Sequence, residues 1–167
     1  MRFLKIGLAL TIVLALGACS SKFKTYNGPE VTRIVVMKAD RKMYLFHHDK
    51  ILATHDIDLG FAPTGHKQVE GDGRTPEGRY FIDRRNPDSN FHLSIGISYP
   101  NAADIEAARA LEKSPGGDIF IHGRARPGRK KGPDWTAGCS SGTKGGIDKV
   151  YAIVGDGTVI DLHPFAG

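Results

Sequence analysis

Cysteine, long apolar runs and excess charge are all scarce in this chain, and each shortage narrows what it can be. Only Cys19 and Cys139 occur among 167 residues, so at most one intramolecular disulfide is possible. The longest apolar stretch, Ile6 to Leu16, has eleven residues, well short of the roughly 20 that a membrane-spanning helix needs. A formal net charge of +5 is too small to argue for nucleic-acid binding, and no nucleic-acid motif accompanies it. It suits an anionic wall or membrane surface instead. His47, His48, His55 and His66 lie in or beside hairpin-like segments without a carboxylate or thiol at metal-ligand spacing, so they read as structural or exposed, and no metal or cofactor is expected. Repeats, low-complexity tracts and a second domain are also missing.

What the N-terminus does carry is an export signal: Met1, Arg2 and Lys5 supply positive charge ahead of the short apolar run, which exits through small residues. Leu16-Gly17-Ala18-Cys19 resembles a bacterial lipoprotein box. That resemblance implies residues 1–18 as a signal peptide, acylation of Cys19, residues 19–30 as lipidated anchor and polar tether, and 31–167 as one domain. Ordinary signal peptidase cleavage, leaving Cys19 as a plain terminal thiol, is the other reading of the same residues. Either way Arg2 and Lys5 are lost, and the net charge falls from +5 to +3. Ser20 stands where an aspartate often retains lipoproteins at an inner membrane, which favours the outer membrane, facing the periplasm, in a cell with two membranes. With Cys19 consumed as an anchor, Cys139 is an unpaired thiol in an oxidising compartment. It is then either a reactive thiol or a small buried hydrophobe.

From Val31 the pattern is one of short β-type runs: 31–38, 42–47 and 51–59, with turns at Ala39-Asp40 and His48-Asp49-Lys50, suggest an antiparallel meander. Further strands are predicted at 79–83, 93–98, 118–122 and 158–163. Asn101 is positioned to cap a helix that ends before Ser114-Pro115, and Thr143 to cap one presenting Ile147, Val150, Tyr151 and Val154 on one face. Many short strands with two short helices predict a mainly β domain, a sandwich or open barrel with helices packed on it.

The chemistry concentrates in residues 118–143. A β-type run delivers His122-Gly123, and after a long loop comes Thr136-Ala137-Gly138-Cys139, with 17 residues separating His122 from Cys139. His-Gly, a variable loop, then Ser/Thr-x-Gly-Cys resembles the signature of the L,D-transpeptidase (YkuD-type) catalytic domain. GDGRTPEGRYFI at 71–82, RRNPDSNFHLSIGISYPNAAD at 84–104 and GTKGGIDKVYAIV followed by GTVIDLHP extend the resemblance to its small, stand-alone, YafK-like branch. The family implies a β-sandwich or open barrel with two short helices and a peptidoglycan-modifying enzyme of wall biogenesis and cell shape.

The residue types suit that chemistry. An amide carbonyl is a poor electrophile, so the nucleophile must be strong and held beside a base; a thiolate paired with imidazole meets both needs. Cys139 is the expected nucleophile and His122 the base that later protonates the leaving amine. The resemblance implies that the Gly123 carbonyl orients the other ring nitrogen. Gly138 leaves the backbone clear before the nucleophile, so amides near Gly138 and Cys139 are candidates for an oxyanion site. Thr136 is either a hydroxyl that fixes this loop or an ordinary turn residue, and it counts with Ser140 among candidate substrate contacts. His92 and Tyr99 fall in a segment on the substrate side in relatives, or are half-buried strand residues. Arg124, Arg126, Arg129, Lys130 and Lys131 form either a solvated face or a cationic rim for stem-peptide carboxylates. Trp135 is a cleft wall or plain packing.

After Cys139 the chain departs from the family pattern: Ser140-Ser141-Gly142 replaces an aliphatic or aromatic residue followed by Arg or Ala. The departure bears on the acyl acceptor. An amine on another stem, a lysine of an envelope lipoprotein, or water remain open, as does hydrolysis that frees wall-bound lipoprotein, or a wall-binding protein without catalysis. The expected partners are peptidoglycan stem peptides, an envelope lipoprotein, and the membrane through the anchor.

Overall fold

The computed structural model describes residues 22–123, 132–136, 138, 140–141 and 144–164. Among these, β1 (Arg33–Met37), β2 (Lys42–His47), β3 (Lys50–Asp56), β4 (Gly78–Asn86), β5 (Ser94–Ile97), β6 (Phe120–His122), β7 (Ser140–Ser141) and β8 (Val159–His163) accompany two helices, α1 (Ala102–Ala110) and α2 (Lys144–Ile153). The strands form one sheet in the order β3-β2-β1-β8-β4-β5-β6-β7. The mainly β architecture with two short helices agrees with the sequence reading.

Alternation builds the core. Ile34 and Val36 of β1 are fully buried between half-exposed neighbours, because successive side chains of a strand point to opposite faces. Register sets Ile34 opposite Leu45 and Ile160, and Ile160 opposite Tyr80, so one row of buried side chains crosses four strands. Burying each contributes about 1.5–3 kcal/mol. The meander β1-β2-β3 is antiparallel as read from the sequence. The parallel pairing of β1 with β8 joins the two ends of the domain.

β4 turns the sheet. Its first half pairs with β8 and its second with β5, with a register shift between Ile82 and Arg84; a bulge of this kind bends a strand and increases its twist. The bend carries β5 and β6 away from the first half, and every residue of β5 is buried.

Both helices sit where expected. Asn101 Oδ1 accepts from the Asp104 N–H (3.0 Å) while the Asp104 carboxylate accepts from the Asn101 N–H (2.8 Å), a reciprocal cap that satisfies two otherwise orphaned donors. The same carboxylate accepts from the Tyr80 hydroxyl at 2.9 Å and from His66 at 3.0 Å, which ties the start of α1 to β4. In α2, Ile147 and Val150, with Val154 just beyond, are buried. Thr143, its expected cap, lies outside the described residues. Residues 22–30, read as a tether, are irregular yet seated on the domain: Lys22 donates to the Pro87 carbonyl at 2.6 Å and Phe23 meets Tyr151 at 6.2 Å.

Candidate active site

β6 ends on His122, whose side chain is almost wholly buried at 3% exposure. Its Nδ1 lies 2.7 Å from the carbonyl oxygen of Gly123. A carbonyl oxygen only accepts, so Nδ1 carries the proton and Nε2 is the basic nitrogen. Phe91 stacks on the imidazole (centroids 4.4 Å apart, planes at 27°), and Trp135 meets it edge-on at 5.6 Å and 69°. Two aromatic walls hold the ring's plane and keep water from it. Gly123 is required here: a Cβ would stand 2.5 Å from the Phe91 carbonyl oxygen and 3.0 Å from Ile147 Cγ2.

A cleft of about 240 Å³ opens beside His122, lined by Asn86, Ser89, Asn90, Phe91 and Ser94 among others. Register explains this lining: Asn86 pairs with Ser94, and Ser94 with His122, so directly opposed residues on β4, β5 and β6 present one face. On the other side of β6, β7 runs parallel, with Ile121 opposite Ser140 and His122 opposite Ser141. Cys139, Arg124 and the other cations expected at 126–131 lie outside the described residues. Gly138 and Ser140, the chain neighbours of Cys139, lie within them.

Thr136 and Gly138 are placed as loop framework. Thr136 is buried; its hydroxyl donates to the Leu59 carbonyl at 2.9 Å and accepts the Gly138 N–H at 3.3 Å. The Thr136 hydroxyl thus ties the loop to Leu59 and takes up the Gly138 amide, while the Cys139 amide lies outside the described residues. The glycine itself is demanded by a left-handed φ of +129° and by the Arg74 carbonyl oxygen, 2.8 Å from where a Cβ would be.

Tyr99 and His92, each read as a substrate-side candidate or a half-buried strand residue, both make contacts within the protein. Tyr99 is 3% exposed in the core beside Tyr80, with its hydroxyl donating to the Pro115 carbonyl at 3.1 Å. Burial, with the Asp104 and Asp72 charges, holds its pKa well above the usual phenol value, so it is a neutral core residue. His92 turns to α2, placing Nε2 2.5 Å from Asp148 Oδ1. Trp135 forms a wall against His122 and Phe91. Ser140 contributes backbone to β7. Of the remaining histidines, His66 accepts the Glu77 N–H on Nδ1 at 2.9 Å. Burial, then Lys149, lowers the pKa of His55, whose Nε2 is buried without a hydrogen-bond partner.

Three contributors escaped the sequence reading. Phe91 has only the preceding chain to recommend it, and its stacking role depends on a turn. Asp134 accepts from the Leu59 N–H at 3.0 Å and from Arg41 at 2.6 Å, anchoring the residue before Trp135; Gly132-Pro133-Asp134 signals a turn without naming those partners. Asp148 sits within a helix and is separated from His92 by 56 residues.

Comparison with known proteins fits this arrangement. YafK of Escherichia coli (strain K12), named as a candidate L,D-transpeptidase, is 28% identical over 145 residues, covering 79% of this chain and 53% of YafK. The chain thus spans about half the length of the curated relatives it matches. In fold it is similar to the helical cell shape determining protein Pgp2 from Campylobacter jejuni (TM-score 0.65, 23% identity, 85% of this chain and 50% of that one). It is also similar to Bdellovibrio bacteriovorus Bd1075 (TM-score 0.61, 22% identity, 87% and 52%). The family model described as YkuD, L,D-transpeptidase catalytic domain, matches residues 31–162. With most of its length matched, the chain belongs to the YkuD L,D-transpeptidase catalytic domain family.

Proposed function

We propose that this protein is a peptidoglycan acyltransferase in which Cys139 attacks the L-to-D amide of a tetrapeptide stem. The thiolate sulfur forms a bond to the amide carbonyl carbon, the carbon–nitrogen bond breaks, and the terminal D-alanine leaves with a proton from His122. The stem remains as a thioester on Cys139. The observation that carries this reading is the fixed tautomer of His122: the Gly123 carbonyl holds Nδ1–H at 2.7 Å, leaving Nε2 basic. β6, which ends on His122, is paired with β7, which begins immediately after Cys139. As an imidazolium, His122 also favours the thiolate of a neighbouring cysteine.

The acceptor gives the outcome its name. An amine on another stem yields a cross-link, a lysine of an envelope lipoprotein yields an anchor, and water yields a carboxypeptidase or releases wall-bound lipoprotein. In this reading Cys19 is acylated, and the domain faces the periplasm from a membrane, the outer one in a cell with two. Incubation of the purified full chain in detergent with disaccharide-tetrapeptide, followed by mass spectrometry of the products, tests the activity. Cross-linked, exchanged or trimmed product is expected from wild type and none from Cys139→Ala. Equal turnover by the two would contradict it.

A further inference from the structure

We propose that His92 is a positioning residue, and that its pairing with Asp148 of α2 holds the 89–92 turn so that Phe91 stays stacked on His122. This role rests on reading His122 as the catalytic base. It replaces a substrate contact for His92 with a mechanical one.

Three contacts converge on the base from the same two elements. Phe91 lays its ring on the imidazole at 4.4 Å. Its carbonyl packs against Gly123 so closely that only a glycine fits, and Ile147 of α2 crowds the same position. The next residue of α2, Asp148, receives His92 Nε2 at 2.5 Å. The turn therefore touches His122, Gly123 and α2 at once. Its position fixes both the plane of the imidazole and the peptide whose oxygen sets the tautomer.

The turn is not one that its sequence favours unaided. His92 adopts a left-handed backbone with φ of +83°, a region that a non-glycine residue occupies only when its surroundings hold it there. Within the turn, the Phe91 N–H donates to Ser89 Oγ at 3.1 Å and the His92 N–H to the Ser89 carbonyl at 3.0 Å. These bonds shape the turn but do not connect it to the rest of the domain. The pair to Asp148 does, with both side chains mostly buried at 21% and 16% exposure. α2 follows shortly after Cys139 in the chain, so the pair also links the wall over the base to the helix beyond the nucleophile.

The test reads the stack directly. In the full chain labelled with ¹³C-histidine, ring currents from Phe91 should shift the His122 ring protons upfield, with His122→Gln providing the assignment. His92→Ala should move them downfield toward the value of an exposed imidazole, and should lower kcat by about 10- to 100-fold, the scale of a small misplacement of a catalytic group, with KM changed less than about twofold. His92→Gln, whose amide N–H can reach Asp148, should restore both. Asp148→Ala should shift the same protons and covers the case in which His92→Ala fails to fold. Unshifted His122 protons in folded His92→Ala or Asp148→Ala would overturn the proposal, as would a rise in KM at constant kcat. Because the ring shift needs no substrate, the expected shifts in a protein without turnover would defeat the enzymatic reading alone.

Discussion

Lys38 is completely buried and places Nζ 2.7 Å from Glu77 Oε1. The same ammonium donates to the carbonyls of Gly65 (2.7 Å) and Thr75 (3.0 Å), so all three donors are used. Burial pulls its pKa below the ordinary lysine value, opposed by the hydrogen bond and charge of Glu77. One side chain thus gathers a loop that also presents the Arg74 carbonyl to Gly138. Removing one partner of a buried pair is costly because the other charge is left uncompensated. Lys38→Met is expected to reduce stability by about 3–5 kcal/mol, measured by denaturant unfolding.

Asp72 supplies the pH dependence of the same loop. Burial pushes its pKa up, but N–H groups of Gln68, Arg74 and Val69 and the Lys67 ammonium outweigh that and hold it below the ordinary 3.8. A carboxylate with a depressed folded-state pKa contributes stability that is present above the unfolded value and lost as pH falls through the folded one. Asp72→Asn should therefore melt lower than wild type near neutral pH, and the gap should narrow as pH drops below 3.8. Melting temperatures across the acid range provide the comparison; a constant gap would contradict the assignment.

Gly123→Ala addresses the wall over the base. The new Cβ would meet the Phe91 carbonyl at 2.5 Å, and backbone must yield. A stability loss of about 1–3 kcal/mol is expected from the overpacking, with activity reduced about 10- to 100-fold by displacement of the imidazole. Gly117→Ala, where a Cβ meets nothing within 4 Å, should stay within about 0.5 kcal/mol of wild type.

The proposed anchor has its own test. Metabolic labelling with palmitate should mark the protein in cells and should be lost in Cys19→Ala. Label that persists in the variant would overturn acylation at Cys19.

Much of the fold was legible in the sequence because its signals are local. Asn101 announced the start of α1, and the alternation in 42–47 set β2 to the residue. The pairing of β1 with β8, the division of β4 between two partners and the two-residue β7 depend on contacts distant in the chain. The site divides along the same line. His122-Gly123 was legible through the local motif that resembles the family signature, and that resemblance is what implied the orienting carbonyl. The role of His92 was not, because its partner Asp148 lies 56 residues away and a left-handed turn re-aims its side chain. Tyr99 was likewise open between a substrate-side and a packed strand residue, because its neighbour Tyr80 is 19 positions away in the chain.

The central proposal is that Cys139 carries the stem peptide as a thioester generated with the help of His122. Intact-mass analysis of the full chain, rapidly acid-quenched after mixing with disaccharide-tetrapeptide, tests this most directly, with tandem sequencing to locate any adduct. An adduct equal to the substrate less its terminal D-alanine is expected on Cys139, labile to hydroxylamine, absent in Cys139→Ala and greatly slowed in His122→Ala. Turnover with no adduct in wild type under single-turnover conditions, or an adduct that forms equally fast in His122→Ala, would contradict it.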